Sequence, residues 1–507
     1  MKRSRLLSLL AMLLAVMMLM STALADNVKP TTSGKADNSL TIPTVQEIST
    51  LDPALFSKQV EDEIIMQVYE PLFVDNNDGS LQKILVADYT VNEDGSQVEI
   101  TLLPNVKFHS GDILTAQDVA YSLSRCENSP LSSVLFAVSS IEVVDDLHFV
   151  WSFPAASQGA SFYDVASYLS TMCIMNQSFC ESVLENPSDN LGTQTDGTGA
   201  YCLDEIAGNG DITLKKFADY RGDVPIDTLY FRLVTGNSEL AFEAGDVDYA
   251  QYVATDLPTV QAFSNVQTLT VNINNTSFAI LNCKEGSPFH DIRVREAAVR
   301  TLDRDAIASI ASDDSGQTAY NMANPTVQYY ADVCDHFDLD LDRANALLTE
   351  AGYGPGNKVE VTLICMSAYP SWVSACEVMK EMMEQSYFNV TISEVADTSR
   401  YFVGDFEAGF LAIGLPSTFA SYSTLFDTEA GLNLSQISGE EGDAVLAAFA
   451  AIQDEESTHA AMRAVVDSLA YVPIYYPTTY LVFDAELNPG TFYVSSGLFL
   501  YREFSWK

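Results

Sequence analysis

The stretch Asn105 to Arg125, NVKFHSGDILTAQDVAYSLSR, carries three consecutive local signals from which the rest of the chain is read. Before it, Val98 to Leu103 alternates apolar and polar residues, the period of a half-buried strand, and Pro104-Asn105 turns that strand back. Val106 and Phe108 then give a short return strand, and Gly111 a second turn. Thr115 and Asp118 form a capping box, each side chain satisfying a backbone N–H left free in the first turn of a helix. Val119, Ala120 and Leu123 share one face of that helix, while Gln117, Ser122 and Arg125 point away. Hairpin, turn and capped helix make a packing module without catalytic chemistry.

Upstream, Lys2, Arg3 and Arg5 precede an almost unbroken apolar run from Leu6 to Met20, and Ala23-Leu24-Ala25 stands before Asp26. This is the pattern of a secretory signal peptide, residues 1–25, cleaved after Ala25. The apolar run is shorter than the about 20 residues of a membrane span, and no later segment approaches that length. The mature chain is therefore expected to be exported, periplasmic or secreted, with no transmembrane segment. No cysteine follows the run, so there is no lipobox.

Of the 25 basic residues the signal holds three, and of the 69 acidic residues none, which leaves 22 against 69, a net charge of −47. Nucleic-acid partners are excluded, because binding phosphates requires clustered Lys and Arg. A hydrophobic share of 47% with only 18 prolines describes a globular chain, and its length implies two or three domains. The eight cysteines show no CxxC spacing, and no disulfide is assigned. The five histidines form no H-x-x-x-H pair, and Cys334-Asp335-His336 reads as a surface loop, so neither metal nor cofactor is expected. With no G-x-S-x-G and no H-E-x-x-H, a secreted hydrolase finds little support and no catalytic residue is assigned.

Further along, Leu40 to Ile48 reads as a strand, Glu61 to Leu72 as a helix, and Ile141 to Phe153 as a β-hairpin. Gly197-Thr198-Gly199 lacks the Lys-Ser/Thr of a phosphate loop and is read as a structural turn before the strand from Tyr201 to Ile206. Ser287 to Arg304 puts Val294, Ala297, Ala298 and Leu302 on one helical face, with Asp291 as N-cap; its arginines interleave with acids and are read as structural ion pairs. Helix, strand, helix and strand then alternate from Asp342 to Val395, which indicates a second lobe with its own sheet.

The block Asn105 to Arg125 resembles the "vkFhdG.plTAeDVayS..R" block of the bacterial extracellular solute-binding proteins of family 5, the peptide-, nickel- and oligosaccharide-binding receptors of ABC importers. Leu51-Asp52-Pro53, Tyr69-Glu70-Pro71-Leu72 and Asp78-Gly79 precede it in the family's order, and Gly197 to Tyr201, Ser238 to Asp248, Ser287 to Arg304, Asp340 to Tyr353 and Val472 to Tyr476 follow. The resemblance implies an α/β, two-lobed periplasmic-binding-protein fold of type II, the large variant with an extra subdomain in the N-terminal lobe. It places a linker at 26–39, the N-terminal lobe at 40–270 with the subdomain at about 55–165, the C-terminal lobe at 271–480, and a tail at 481–507 returning to the first lobe. Two hinge crossings are implied, near Thr270 to Thr276 and near Tyr476 to Glu486.

It also implies a function: capture of a small solute between the lobes by hinge closure, and delivery to the permease subunits of an ABC importer, by a protein expected to be monomeric. Ligand contacts are carried over to Phe56, Ser57 and Gln59, to Ser277 and Phe278, and to Leu411, Ile413, Gly414, Ser417 and Phe419. In peptide receptors of the family an aspartate in the last segment pairs with the ligand's ammonium; here no acid falls between Glu407 and Asp427. An oligopeptide is the first expectation and an oligosaccharide or other neutral solute the alternative.

Overall fold

The structure is a computed structural model. It describes residues 36–507 apart from 45, 57, 77–79, 93–95, 127–139, 154–165, 167–169, 171, 187, 235–237, 253–256, 261, 264, 273–274, 313, 397, 415–417, 429–431 and 494–496. The signal-peptide reading, most of the linker, Ser57 and Ser417 lie outside the described residues.

In chain order the elements used below are β1 (Ser39–Thr44), α1 (Gln59–Val68), β2 (Val86–Val91), β3 (Gln97–Leu102), α2 (Ala116–Cys126), β4 (Ser140–Val143) and β5 (His148–Ser152). There follow α3 (Gln177–Glu185), β6 (Tyr201–Ile206), β7 (Ile212–Lys216), β8 (Thr228–Leu233), β9 (Tyr249–Tyr252), β10 (Val266–Asn272) and β11 (Thr276–Leu281). The remainder comprises α4 (Ile292–Val299), α5 (Arg304–Ala311), β12 (Gln317–Thr318), α6 (Leu341–Glu350), β13 (Val359–Met366), α7 (Pro370–Met383), β14 (Phe388–Val395), β15 (Ala408–Ile413), α8 (Gly439–Ala450), α9 (Glu455–Asp467), β16 (Tyr471–Tyr476) and β17 (Thr478–Asp484).

Two four-stranded sheets, β1-β8-β7-β6 and the antiparallel β2-β3-β5-β4, share one hydrophobic core with α1. The same core takes in Leu498 to Leu500, Tyr501 and Phe504 from the end of the chain. A six-stranded mixed sheet, β12-β16-β11-β15-β13-β14, has a core on each face. Ala279, Leu281 and Phe410 point to the side covered by α4, α5, α6 and α7; Phe278 and Ile280 point to the side covered by α8 and α9. That is the two-periodicity of a strand buried on both faces. The antiparallel sheet β9-β17-β10 joins the first core through Tyr249, Val271, Leu481 and Phe483. Among the described residues no helix is long and apolar enough to cross a membrane.

The block that opened the reading docks β3 and α2 onto the end of α1 through the Gly197-Thr198-Gly199 turn. His109 donates its backbone N–H to the Gly197 carbonyl (2.9 Å), and Gly199 donates to the carbonyl of Val68 (2.9 Å). A Cβ at Gly197 or Gly199 would run into the backbone carbonyls of Val68 and Gln67, so both glycines are required by close approach. Beneath the turn, the fully buried Glu70 accepts two bonds from Arg221 (2.7 and 2.9 Å), one from Tyr220 (2.8 Å) and one from Thr198 (2.9 Å). The turn is structural, and Glu70 is satisfied as a buried carboxylate must be.

Several local expectations are corrected. Val106 and Phe108 form no return strand on β3, whose two edges are occupied by β2 and β5. The segment closes on itself through an isolated bridge between Lys107 and Ile113, helped by the left-handed backbone of Asn105 (φ 59°) and Gly111 (φ 99°). The capping box is half formed: Asp118 Oδ2 accepts from the backbone N–H of Thr115 (2.9 Å), but the Thr115 hydroxyl donates to the same oxygen (2.8 Å). Asp118 Oδ1 instead accepts from the N–H of Gln177 at the head of α3 (2.9 Å). Ser122 faces inward, donating to the Asp118 carbonyl (2.7 Å) and accepting from Met175 N–H (2.8 Å). Arg125 reaches Asp52 of the Leu51-Asp52-Pro53 turn (2.7 Å). The helix read as Glu61 to Leu72 runs from Gln59 to Val68, because Tyr69 is already extended ahead of Glu70-Pro71. The strand read to Ile48 stops at Thr44.

Candidate functional site

Strands β13, β14 and β15 run parallel, so their carboxyl ends, Met366, Val395 and Ile413, lie on one edge of the six-stranded sheet. Because β11 is antiparallel to both β15 and β16, β11 starts and β16 ends on that same edge. β10 ends at Asn272 before β11, and β16 is followed by β17 after Pro477, so the chain passes twice between this sheet and the sheet β9-β17-β10. The crevice outside the carboxyl ends of such strands is where open α/β sheets take ligands.

Two of the segments singled out in the sequence meet there: Thr276 faces Ile413, Ser277 faces Ala412 and Phe278 faces Leu411 across β11 and β15. On its other side Ser277 pairs with Tyr475, and the register slips by one residue between Ser277 and Phe278. Such a bulge re-aims side chains and is frequent beside functional sites. The Ser277 side chain is fully buried, and its hydroxyl has no hydrogen-bond partner. A buried unpaired hydroxyl costs roughly 1–3 kcal/mol.

The remaining assignments divide. Phe278 is fully buried on the opposite face of the sheet, edge-to-face with Tyr471 (centroids 5.5 Å apart, 83°), and Phe419 stacks on Tyr422 (4.9 Å) and lies against Phe449 (5.3 Å). Both side chains are core, because strand alternation and the 3-10 turn from Phe419 to Leu425 send them inward. Leu411 and Ile413 are half-buried against that same core, and Gly414 is exposed. Phe56 lies at the rim of the other body's core, behind the turn that the Asp52–Arg125 pair holds. Gln59 stands in the first turn of α1, and its side chain lies outside the described features.

Three residues at this edge were passed over in the sequence. Trp372, in the first turn of α7, donates its indole N–H to Tyr475 Oη (3.1 Å), and Tyr475 Oη donates to the carbonyl of Ala311 (3.3 Å). The indole lies edge-on to Phe410 (5.6 Å), and Tyr369 lies against it (4.3 Å, 31°) with its own side chain 47% exposed. The available signal was Tyr369-Pro370-Ser371-Trp372, a proline opening a helix straight after a buried strand. Ser80 to Lys83 has the S-x-x-K spacing of a serine nucleophile. It lies on an extended segment, however, where Lys83 donates to the Ala87 carbonyl (2.9 Å) and Ser80 Oγ accepts from Asn76 (3.0 Å). Residues three apart on a strand point to opposite faces, so the pair is not a catalytic dyad.

The comparisons with known proteins bear on the fold and the family. The model of the bacterial extracellular solute-binding proteins, family 5, matches residues 80–431. The glutathione-binding protein GsiB of Salmonella typhi is 26% identical over 317 residues, covering 61% of this chain and 60% of that protein. The oligopeptide-binding protein AppA of Bacillus subtilis is 24% identical over 430 residues, 78% of each chain. The chain thus spans about 60% of the length of the GsiB relatives it matches. Among solved structures, HbpA2 from Haemophilus parasuis superposes with a TM-score of 0.81 over 92% of this chain and all of its own at 21% identity. The ABC transporter substrate-binding protein CtaP from Listeria monocytogenes superposes with a TM-score of 0.77 over 92% of this chain and 99% of its own at 20% identity. The architecture is the two-lobed one of such binding proteins.

Proposed function

The chain belongs to the bacterial extracellular solute-binding proteins of family 5, and on that premise we propose that it is the solute-capturing receptor of an ABC importer, exported and monomeric, binding and not transforming its ligand. The observation that carries the reading is the meeting of Thr276-Ser277 with Ala412-Ile413 at the carboxyl edge of the six-stranded sheet, beside both chain connections to the neighbouring sheet. Those two connections serve as the hinge, and the bodies built on 40–270 with the tail and on 271–480 serve as the lobes. Contacts made by both lobes exist only when the cleft is closed, so a solute shifts the population toward the closed form that a permease recognises. A dissociation constant near micromolar, about −8 kcal/mol, suffices for capture and release.

Relatives named for glutathione and for oligopeptides support a peptide-type solute. Thermal-shift screening of the full chain against peptides, oligosaccharides and nickel chelates tests the role, with small-angle scattering to follow closure. Stabilisation and contraction by one class support it; a folded protein that responds to none of them refutes it.

A further inference from the structure

We propose that Tyr369 and Trp372 form an aromatic platform that receives an uncharged ring or apolar face of the solute, setting the specificity of the site. The inference rests on the binding role proposed above and adds the chemistry of what is bound. An exposed tyrosine alone is ordinary, but this one differs in three respects.

First, it is held in place. The Tyr369 carbonyl accepts from the backbone N–H of Trp372 (3.0 Å) and of Val373 (3.2 Å), and its own N–H donates to Met366 (3.2 Å), the last residue of β13. Trp372 is fixed from below by Phe410 and sideways by Tyr475, so the stack costs little further ordering when a ligand lands on it. Second, its place is the carboxyl edge. Tyr475, which anchors the indole, is also the residue paired with Ser277 across the sheet, so the platform and the unpaired Ser277 hydroxyl belong to the same edge.

Third, the described side chains next to the platform and Ser277, namely Thr276, Met366, Ser367, Ile413 and Tyr475, bear no charge; the exposed Glu394, paired with Cys365 near the end of β14, is the acid at the far side of this edge. A solute's free ammonium or carboxylate would find no counter-charge among them, and the formal net charge of −44 further disfavours anions. What aromatic faces and a lone hydroxyl recognise is the CH-bearing face of a sugar ring or an apolar or aromatic side chain with neutral polar neighbours.

The probes are maltotriose, cellobiose, an N-acetylated and C-amidated tripeptide with a central phenylalanine, and free trialanine. Each is titrated into the full chain by calorimetry and by tryptophan emission, with scattering recorded in parallel. The expected result is that a neutral probe binds, the Trp372 emission shifts, and Tyr369→Ala weakens binding by about tenfold or more while Tyr369→Phe restores it; tenfold corresponds to about 1.4 kcal/mol, the scale of an aromatic stack. Trp372→Phe should remove the emission change, which Trp151 and Trp506 do not report. Binding and contraction that survive Tyr369→Ala undiminished, or a preference for free trialanine, overturn the platform and leave the receptor role standing. No binding and no contraction with any probe overturns both. Sugar against blocked peptide separates the two sources of the ring face.

Discussion

Asp62 should make this protein less stable as the pH rises from 5 to 8. Its side chain lies in the first turn of α1, 5% exposed, and Oδ1 has no hydrogen-bond partner. Burial, aided by the neighbouring Glu63, pushes its pKa from 3.8 up to about 8. In the unfolded chain the same carboxyl ionises near its ordinary value, so between about pH 4 and 8 the folded state holds a proton that the unfolded state has lost. The sign follows: the contribution is full below the unfolded pKa and is lost as the pH climbs through the folded one. The slope approaches 1.4 kcal/mol per pH unit, and from pH 5 to 8 the accumulated loss is about 4 kcal/mol. Asp62→Asn keeps the shape and cannot ionise. Urea unfolding followed by circular dichroism at pH 5, 6, 7 and 8 on both proteins isolates the effect, because other titrating groups largely cancel in the difference. The variant should gain on the parent by about 4 kcal/mol across that window. Stability curves that run parallel from pH 5 to 8 would show that Asp62 does not hold a proton in the fold.

Asp118→Ala should cost about 2–3 kcal/mol, because three hydrogen bonds converge on its carboxylate, whereas Thr115→Ala, which keeps its own backbone bond, should cost about 1 kcal/mol or less. Equal losses in chemical denaturation would contradict the half-formed box. Gly197→Ala should destabilise by about 3 kcal/mol, since the Cβ must displace the Val68 carbonyl and with it the docking of His109; an unchanged melting temperature would refute the close approach. Arg125→Met should cost about 3 kcal/mol by leaving the buried Asp52 unpaired, read as a loss that shrinks in the Asp52→Asn background. Removing the residues after Asn488 takes Phe499, Tyr501 and Phe504 from the first core and should leave a chain that fails to fold cooperatively, as seen in its unfolding transition.

Elements with strong local signals were legible in the sequence. The hairpin from Ile141 to Phe153 appears as β4 and β5 with its turn between, and Asp291 caps α4 through Arg293 N–H (2.9 Å). Gly352, which ends the helix of Ala344, Leu347 and Leu348, has the left-handed backbone expected of it (φ 93°). What escaped the sequence depends on partners far along the chain. Alternation on β11 tells that Ser277 and Phe278 face opposite ways, but which face meets the crevice is set by Ala412 and Tyr475, well over a hundred positions away. Ser122 reads as a solvent-facing serine until Met175 supplies the N–H it accepts. Trp372 falls at helical spacing with Ala375, Cys376 and Met379 and so reads as core, and only the return of β16 beside α7 gives the indole its partner.

The return of the chain's last residues to the first core has a consequence for how the molecule is made. Gln67 in α1 donates to the Phe499 carbonyl (2.9 Å) and accepts from Tyr501 N–H (2.9 Å), contacts spanning 432 and 434 positions. Emerging from a ribosome, α1 waits through almost the entire synthesis before these partners exist. The six-stranded sheet, whose described strands all lie between Thr276 and Tyr476, is available whole earlier. Loop closure over such a span adds little to the equilibrium cost, growing only with the logarithm of length, but it delays the nucleus that needs it. The half of the protein synthesised first is therefore the half completed last, and until then its aromatic residues remain available to chaperones.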